Sequence, residues 1–90
     1  MYAIVVKVQL PEGRSMEEGV RQLNAEVIPM IKQAPGFVSV YFMAPTAGRE
    51  GLSFTLFTDE KSARAAAEGV KPPEPVKLLS VEVREVVASA

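Results

Sequence analysis

Residues 35–67 read PGFVSVYFMAPTAGREGLSFTLFTDEKSARAAA, and this stretch decides the fold. Pro35 and Gly36 stop whatever precedes them, because proline cannot continue a helix and glycine accepts a left-handed backbone. From Phe37 to Ala44 aromatic and β-branched residues dominate, which predicts a strand with Val38, Val40 and Phe42 on one face and Phe37, Ser39, Tyr41 and Met43 on the other. Pro45 to Gly51 carries Gly48 and Gly51 and reads as a hairpin loop. Leu52, Phe54 and Leu56 then alternate with Ser53, Thr55 and Phe57 in the returning strand. Thr58 or Asp59 can accept the first free amides of a helix whose positive end Asp59 and Glu60 complement. Ala63, Ala66, Ala67 and Val70 give that helix a slim apolar stripe, with Glu60, Arg64 and Glu68 paired on its wet side.

Working outward, Tyr2 to Leu10 alternates as a first strand, with Ile4, Val6, Val8 and Leu10 on one side and Ala3, Val5, Lys7 and Gln9 on the other. Ser15 with Glu18 three residues later is a capping-box signature. Met16, Val20, Leu23, Val27, Met30, Ile31 and Ala34 continue from it as one helical stripe to about Gln33. Pro29 lies inside that stripe and removes the bond to the Ala25 carbonyl, which predicts a kink or a tightened turn. Beyond the second helix, Lys71 to Pro75 holds three prolines and forms an extended connector, and Val76 to Val87 alternates again as a last strand. The order strand, helix, strand, strand, helix, strand predicts an α+β, ferredoxin-like βαββαβ domain over residues 1–90, with both helices on one face of a four-stranded antiparallel sheet.

Composition excludes several chemistries. Ten basic against eleven acidic residues leave a net charge of -1, so no basic field exists for nucleic acid or anionic lipid. The chain has no Cys and no His, which removes thiolate and imidazole nucleophiles and metal ligands together. A serine would have to pair with a lysine, such as Lys7 with Ser53 or Ser80, and no diagnostic spacing supports that. Glu17 with Glu18 and Asp59 with Glu60 sit in first helical turns, which the helix dipole already explains, so no metal or cofactor is expected. The amino terminus lacks the pattern of a secretory signal and no stretch is long enough to span a bilayer, so the expected compartment is the cytoplasm.

The helices should cover Ile4, Val6, Val8, Val38, Val40, Phe42, Leu52, Phe54, Leu56, Leu79, Val81 and Val83. The opposite face then mixes Ala3, Val5, Phe37, Tyr41, Met43, Phe57 and Val86 with Lys7, Gln9, Ser39, Ser53, Thr55, Glu82 and Arg84. So many apolar side chains exceed what a monomer normally leaves wet, and the simplest cover is the same face of a second copy. The expectation is a homodimer through its sheet faces, enclosing a mixed interior.

The Pro35, Gly36, Phe37 turn into an alternating strand, followed by the helix opening Thr58, Asp59, Glu60, Lys61, Ser62 and Ala63, resembles the antibiotic-biosynthesis-monooxygenase-like members of the dimeric α+β barrel superfamily. The resemblance implies subunits paired sheet to sheet, and a monooxygenase that oxidises a phenolic or quinol substrate without heme or flavin. Heme-degrading members of that superfamily hold iron with a helix histidine beside a tryptophan, and this chain has neither residue. Oxygenase members use Asn, Trp, Tyr and Arg in the cavity; here the single Asn is Asn24 on the first helix, and Tyr41 and Arg84 are the residues of those types on the expected interior face.

Within that interior Glu82 and Arg84 share one side of the last strand, with Lys7 and Gln9 on the strand beside it. Glu82 would act as proton acceptor, Arg84 or Lys7 would stabilise a phenolate, and Tyr41 would contact an aromatic ring. Lys7, Ser53, Thr55, Met43 and Phe57 would line the site of a small aromatic ligand. The plain alternative is an ion pair that fixes dimer register, with Met43 and Phe57 as dimer core. Two classes of function therefore stay open: a cofactor-independent oxygenase, or a non-catalytic ligand-sensing or dimerisation module.

Overall fold

Eight elements follow in chain order: β1 (Tyr2–Gln9), α1 (Met16–Gln22), a π-helical stretch (Leu23–Val27), α2 (Ile28–Ile31), β2 (Phe37–Met43), β3 (Glu50–Phe57), α3 (Glu60–Glu68) and β4 (Lys77–Glu85). A computed structural model, describing all 90 residues, arranges the strands in one antiparallel sheet of order β2, β3, β1, β4. That is the ferredoxin-like βαββαβ topology predicted from the alternation pattern. No helix is long and apolar enough to cross a membrane.

Local chemistry sets the helix starts. The Ser15 hydroxyl accepts the Glu18 amide at 3.1 Å, and the Asp59 carboxylate accepts the Ser62 amide at 2.8 Å. The Ser62 amide, with the Ser62 and Thr58 hydroxyls, holds the Asp59 carboxyl below the usual carboxylate range. The first helix ends at Ile31, short of the expected Gln33, and a turn through Pro35 and Gly36 leads into β2; Gly36 takes φ +75° and its carbonyl accepts the Thr58 amide at 2.9 Å.

Pro29 produces a different distortion from the one expected. Instead of kinking or tightening, the helix widens ahead of the proline, and the Ile28 amide reaches back five residues to the Leu23 carbonyl. The wider turn lets the chain pass a residue that has no amide to give.

The register sorts the two faces of the sheet. Val40, Thr55, Ile4 and Val83 form one row across β2, β3, β1 and β4, and Phe42, Ser53, Val6 and Val81 form the next. These rows face the helices. Phe57, Ile4, Val6 and Ala63 are the buried cluster at the centre, with α3 lying close over β1, β3 and β4. The other face carries the rows Ser39, Leu56, Ala3, Arg84; Tyr41, Phe54, Val5, Glu82; and Met43, Leu52, Lys7, Ser80.

The alternation in β3 is therefore opposite to the one expected. Leu52, Phe54 and Leu56 turn away from the helices, while Ser53, Thr55 and Phe57 turn toward them. Phe37, paired with Phe57, also lies on the helix side. Val38 and Leu79 fall where the register shifts in β2 and β4, and both are exposed rather than core.

Candidate functional site

The first helix and α3 sit differently on the sheet. Small alanines bring α3 close, whereas α1 and its continuation make no comparably close approach to any strand. Larger side chains, Val20, Leu23, Val27 and Ile31, line the sheet side of that helix, and between it and β1 and β3 lies a cavity of about 490 Å³. Its floor is Ile4, Val6, Val8, Ser53 and Thr55 from the sheet. Volume and apolar lining match a small-molecule site.

Polar groups gather at one end. Arg14, Ser15 and Gln22 come from the start of the first helix, and Lys71, Pro72 and Pro73 from the connector before β4. Gln22 ties the two together: its Oε1 accepts from Arg14 Nη1 at 2.5 Å and its Nε2 donates to the Glu74 carbonyl at 3.3 Å. The proline connector is thus fastened to the helix across the cavity end.

The residues singled out from sequence divide between the two sides of the sheet. Ser53 and Thr55 line the cavity, and Phe57, fully buried, packs in the core beside it. Lys7, Tyr41, Met43, Glu82 and Arg84 belong by register to the open face. Met43, at the end of β2, also borders the cavity. Glu82 and Arg84 do meet, Arg84 Nη2 donating to Glu82 Oε2 at 3.0 Å, with side chains 53% and 66% exposed. At that exposure the pair is screened by solvent and contributes little. Tyr41, 60% exposed, lies at the other end of its row, three strands from Glu82, or about 14 Å at the usual strand spacing. One chain does not bring Tyr41 and Glu82 to a common ligand.

Asn24 is not in the cavity. Its side chain donates to the Val20 carbonyl of its own helix at 3.0 Å and is exposed. Tyr2 lies outside it too, and the neighbouring Glu85 carboxylate is the main cause that raises its phenol above the ordinary value. Arg14, Gln22 and Lys71 went unmarked in the sequence, since each is an isolated polar residue in a loop, an early helix turn or a proline connector. The one available signal was that Arg14 and Gln22 lie eight residues apart, about two helical turns, so that a long side chain can span them.

No protein-family model matches the chain, and no curated protein matches it in sequence. The sheet order and the helix-covered face define the ferredoxin-like fold. Among solved structures the chain is similar to MhuD, in an arginine-to-serine variant with two manganese protoporphyrin IX molecules bound per active site: TM-score 0.70, 16% identity, covering 100% of this chain and 98% of that one. At this identity the likeness is one of fold.

Proposed function

We propose that the protein binds a small organic molecule between its first helix and its sheet, and that two copies pair through their open sheet faces as a dimeric α+β barrel. The cavity of about 490 Å³ carries the first half of this reading. The row Tyr41, Phe54, Val5 and its neighbours Leu52, Leu56 and Met43 support the second, as a contiguous apolar set on the sheet face turned away from the helices, with Tyr41 60% and Met43 44% exposed. The likeness to a porphyrin-bound fold supports a ligand of this general size.

Haem itself fits poorly. Its iron is held by His, Cys, Tyr or Met. The chain has no His or Cys, neither tyrosine borders the cavity, and only the thioethers of Met16, Met30 and Met43 do. The cavity also has no carboxylate, so the function its geometry supports best is binding without proton transfer.

The oxygenase activity implied by the family resemblance would draw on the open face, where a second copy would enclose Glu82, Arg84 and Tyr41. Oxygen uptake with a dihydroquinone tests it, and turnover that survives Glu82→Gln would remove Glu82 as the base.

The binding reading is tested with the methyl ester of cis-parinaric acid, a neutral fluorescent acyl probe. The expected result is saturable fluorescence enhancement with the wild-type protein, weakened about tenfold or more by Ala66→Phe, which fills the cavity from α3. No enhancement, or equal enhancement in a folded Ala66→Phe protein, overturns the reading.

A further inference from the structure

The charges around the cavity all have one sign. Eleven acidic residues occur in the chain, yet no Asp or Glu borders the cavity, while Arg14 and Lys71 both do. Arg14 is set apart among the arginines. Arg21, Arg49, Arg64 and Arg84 each hold a carboxylate within 3.4 Å, respectively that of Glu17, Glu12, Glu60 and Glu82. Arg14 holds none; it donates one N–H to the neutral Gln22 amide, which leaves the remainder of its five donors without a protein acceptor. The guanidinium lies along the first helix, where a Cβ on Gly19 would stand in ordinary contact with Arg14 Nη2 at 3.7 Å. Gln22, bonded on its other side to Glu74, fixes that position.

Resting on the binding function proposed above, we infer that the ligand is an amphipathic organic anion: an acyl or aromatic body with a carboxylate at one end. The apolar body lies on Ile4, Val6 and Val27, and the carboxylate takes its hydrogen bonds from the half-buried Arg14 and its second charge contact from Lys71. A guanidinium matches a carboxylate in two parallel bonds, and partial burial beside an apolar wall strengthens the attraction over its value in open water. A neutral ligand of the same shape would leave both cations uncompensated.

The test compares cis-parinaric acid with its methyl ester, two probes that share one body and differ in the charge. Wild-type protein should bind the acid about tenfold or more tightly than the ester, the equivalent of about 1.4 kcal/mol. Arg14→Met and Lys71→Met should each reduce that ratio, and together bring it to about one, with the ester still bound saturably as the measure of an intact cavity. If Arg14→Met does not fold, Lys71→Met, at an exposed position, still has to lower the ratio. Equal wild-type affinity for acid and ester, or a preference that survives the substitutions, overturns the anion inference and leaves the cavity reading standing. Failure of both probes to bind overturns the two together.

Discussion

Gly36→Ala is the substitution whose cost the structure specifies most closely. Gly36, Gly13 and Gly48 share nearly the same backbone, with φ of 75°, 76° and 75°. Their surroundings differ sharply. A Cβ on Gly48 would meet nothing within 4 Å, whereas one on Gly36 would stand 2.6 Å from Ser62 Oγ, 2.8 Å from Ser62 Cβ and 3.0 Å from Thr58 Oγ1. Gly48→Ala therefore loses only the conformational preference, about 1 to 2 kcal/mol for an L-residue held in the left-handed region. Gly36→Ala adds an overpacking term of about 1 to 3 kcal/mol, because the contacts include the Ser62 Cβ and not merely a swinging side-chain end. At about 4 to 8 °C per kcal/mol for a domain of this size, Gly36→Ala should melt about 5 to 20 °C below Gly48→Ala. Differential scanning calorimetry of the two variants and the wild type measures this directly. Equal melting temperatures for the two variants would refute the packing of the Pro35–Gly36 turn against the start of α3.

Phe54→Lys should separate the proposed pair, since it sets a charge in the middle of the apolar row Tyr41, Phe54, Val5. An unpaired buried charge costs about 3 kcal/mol or more, so dimer dissociation should strengthen about a hundredfold, as read by light scattering on eluting protein. A wild-type monomer at micromolar concentration, or a Phe54→Lys dimer as tight as wild type, contradicts the pairing. Asp59 predicts an acid-side effect: its carboxyl lies below the usual range in the fold, so its stabilisation is complete above the unfolded carboxylate value and is lost as pH falls through the folded one. Asp59→Asn should flatten that part of the curve of melting temperature against pH, and an unchanged slope would deny the cap its role.

Much of the fold was legible because its signals are local. The Ser15 and Asp59 caps and the period-two runs each act over a few residues, and the structure places them where the sequence did, while the first helix stops at Ile31, ahead of Pro35 and Gly36. The facing of β3 was not local. Both of its alternating sets contain bulky apolar side chains, and choosing the greasier one as core selects Leu52, Phe54 and Leu56. The structure inverts this, because Ser53 and Thr55 belong to a cavity and Phe57 alone supplies the core contact under α3. The site was harder still. Arg14, Gln22 and Lys71 converge only through the path of the first helix and of a connector some fifty residues later, and Gln22 to Glu74 spans that separation. Pro29 was visible, but the choice between a tighter and a wider turn depends on where Leu23 and Ile28 can meet.

The inversion of β3 links the cavity to the open face. A sheet whose helix side is well packed needs its greasiest residues there, and this one sends three of them the other way. Only seven of 90 residues are buried, and the apolar cluster among them, Phe57, Ile4 and Val6 with Ala63, lies under α3. The half of the sheet under the first helix meets a cavity instead of a core, and the reverse side carries no helix and leaves Tyr41 and Met43 exposed. Both surfaces withhold apolar area that a domain this small would otherwise use for its own stability. Ligand and second copy would therefore each act as a missing part of the core, so occupancy of the cavity should raise the melting temperature with ligand concentration, by mass action on the folded form, and protein concentration should raise it through the other face. The two responses arise on opposite sides of one sheet, and Val5 and Val6, adjacent in β1, face one each.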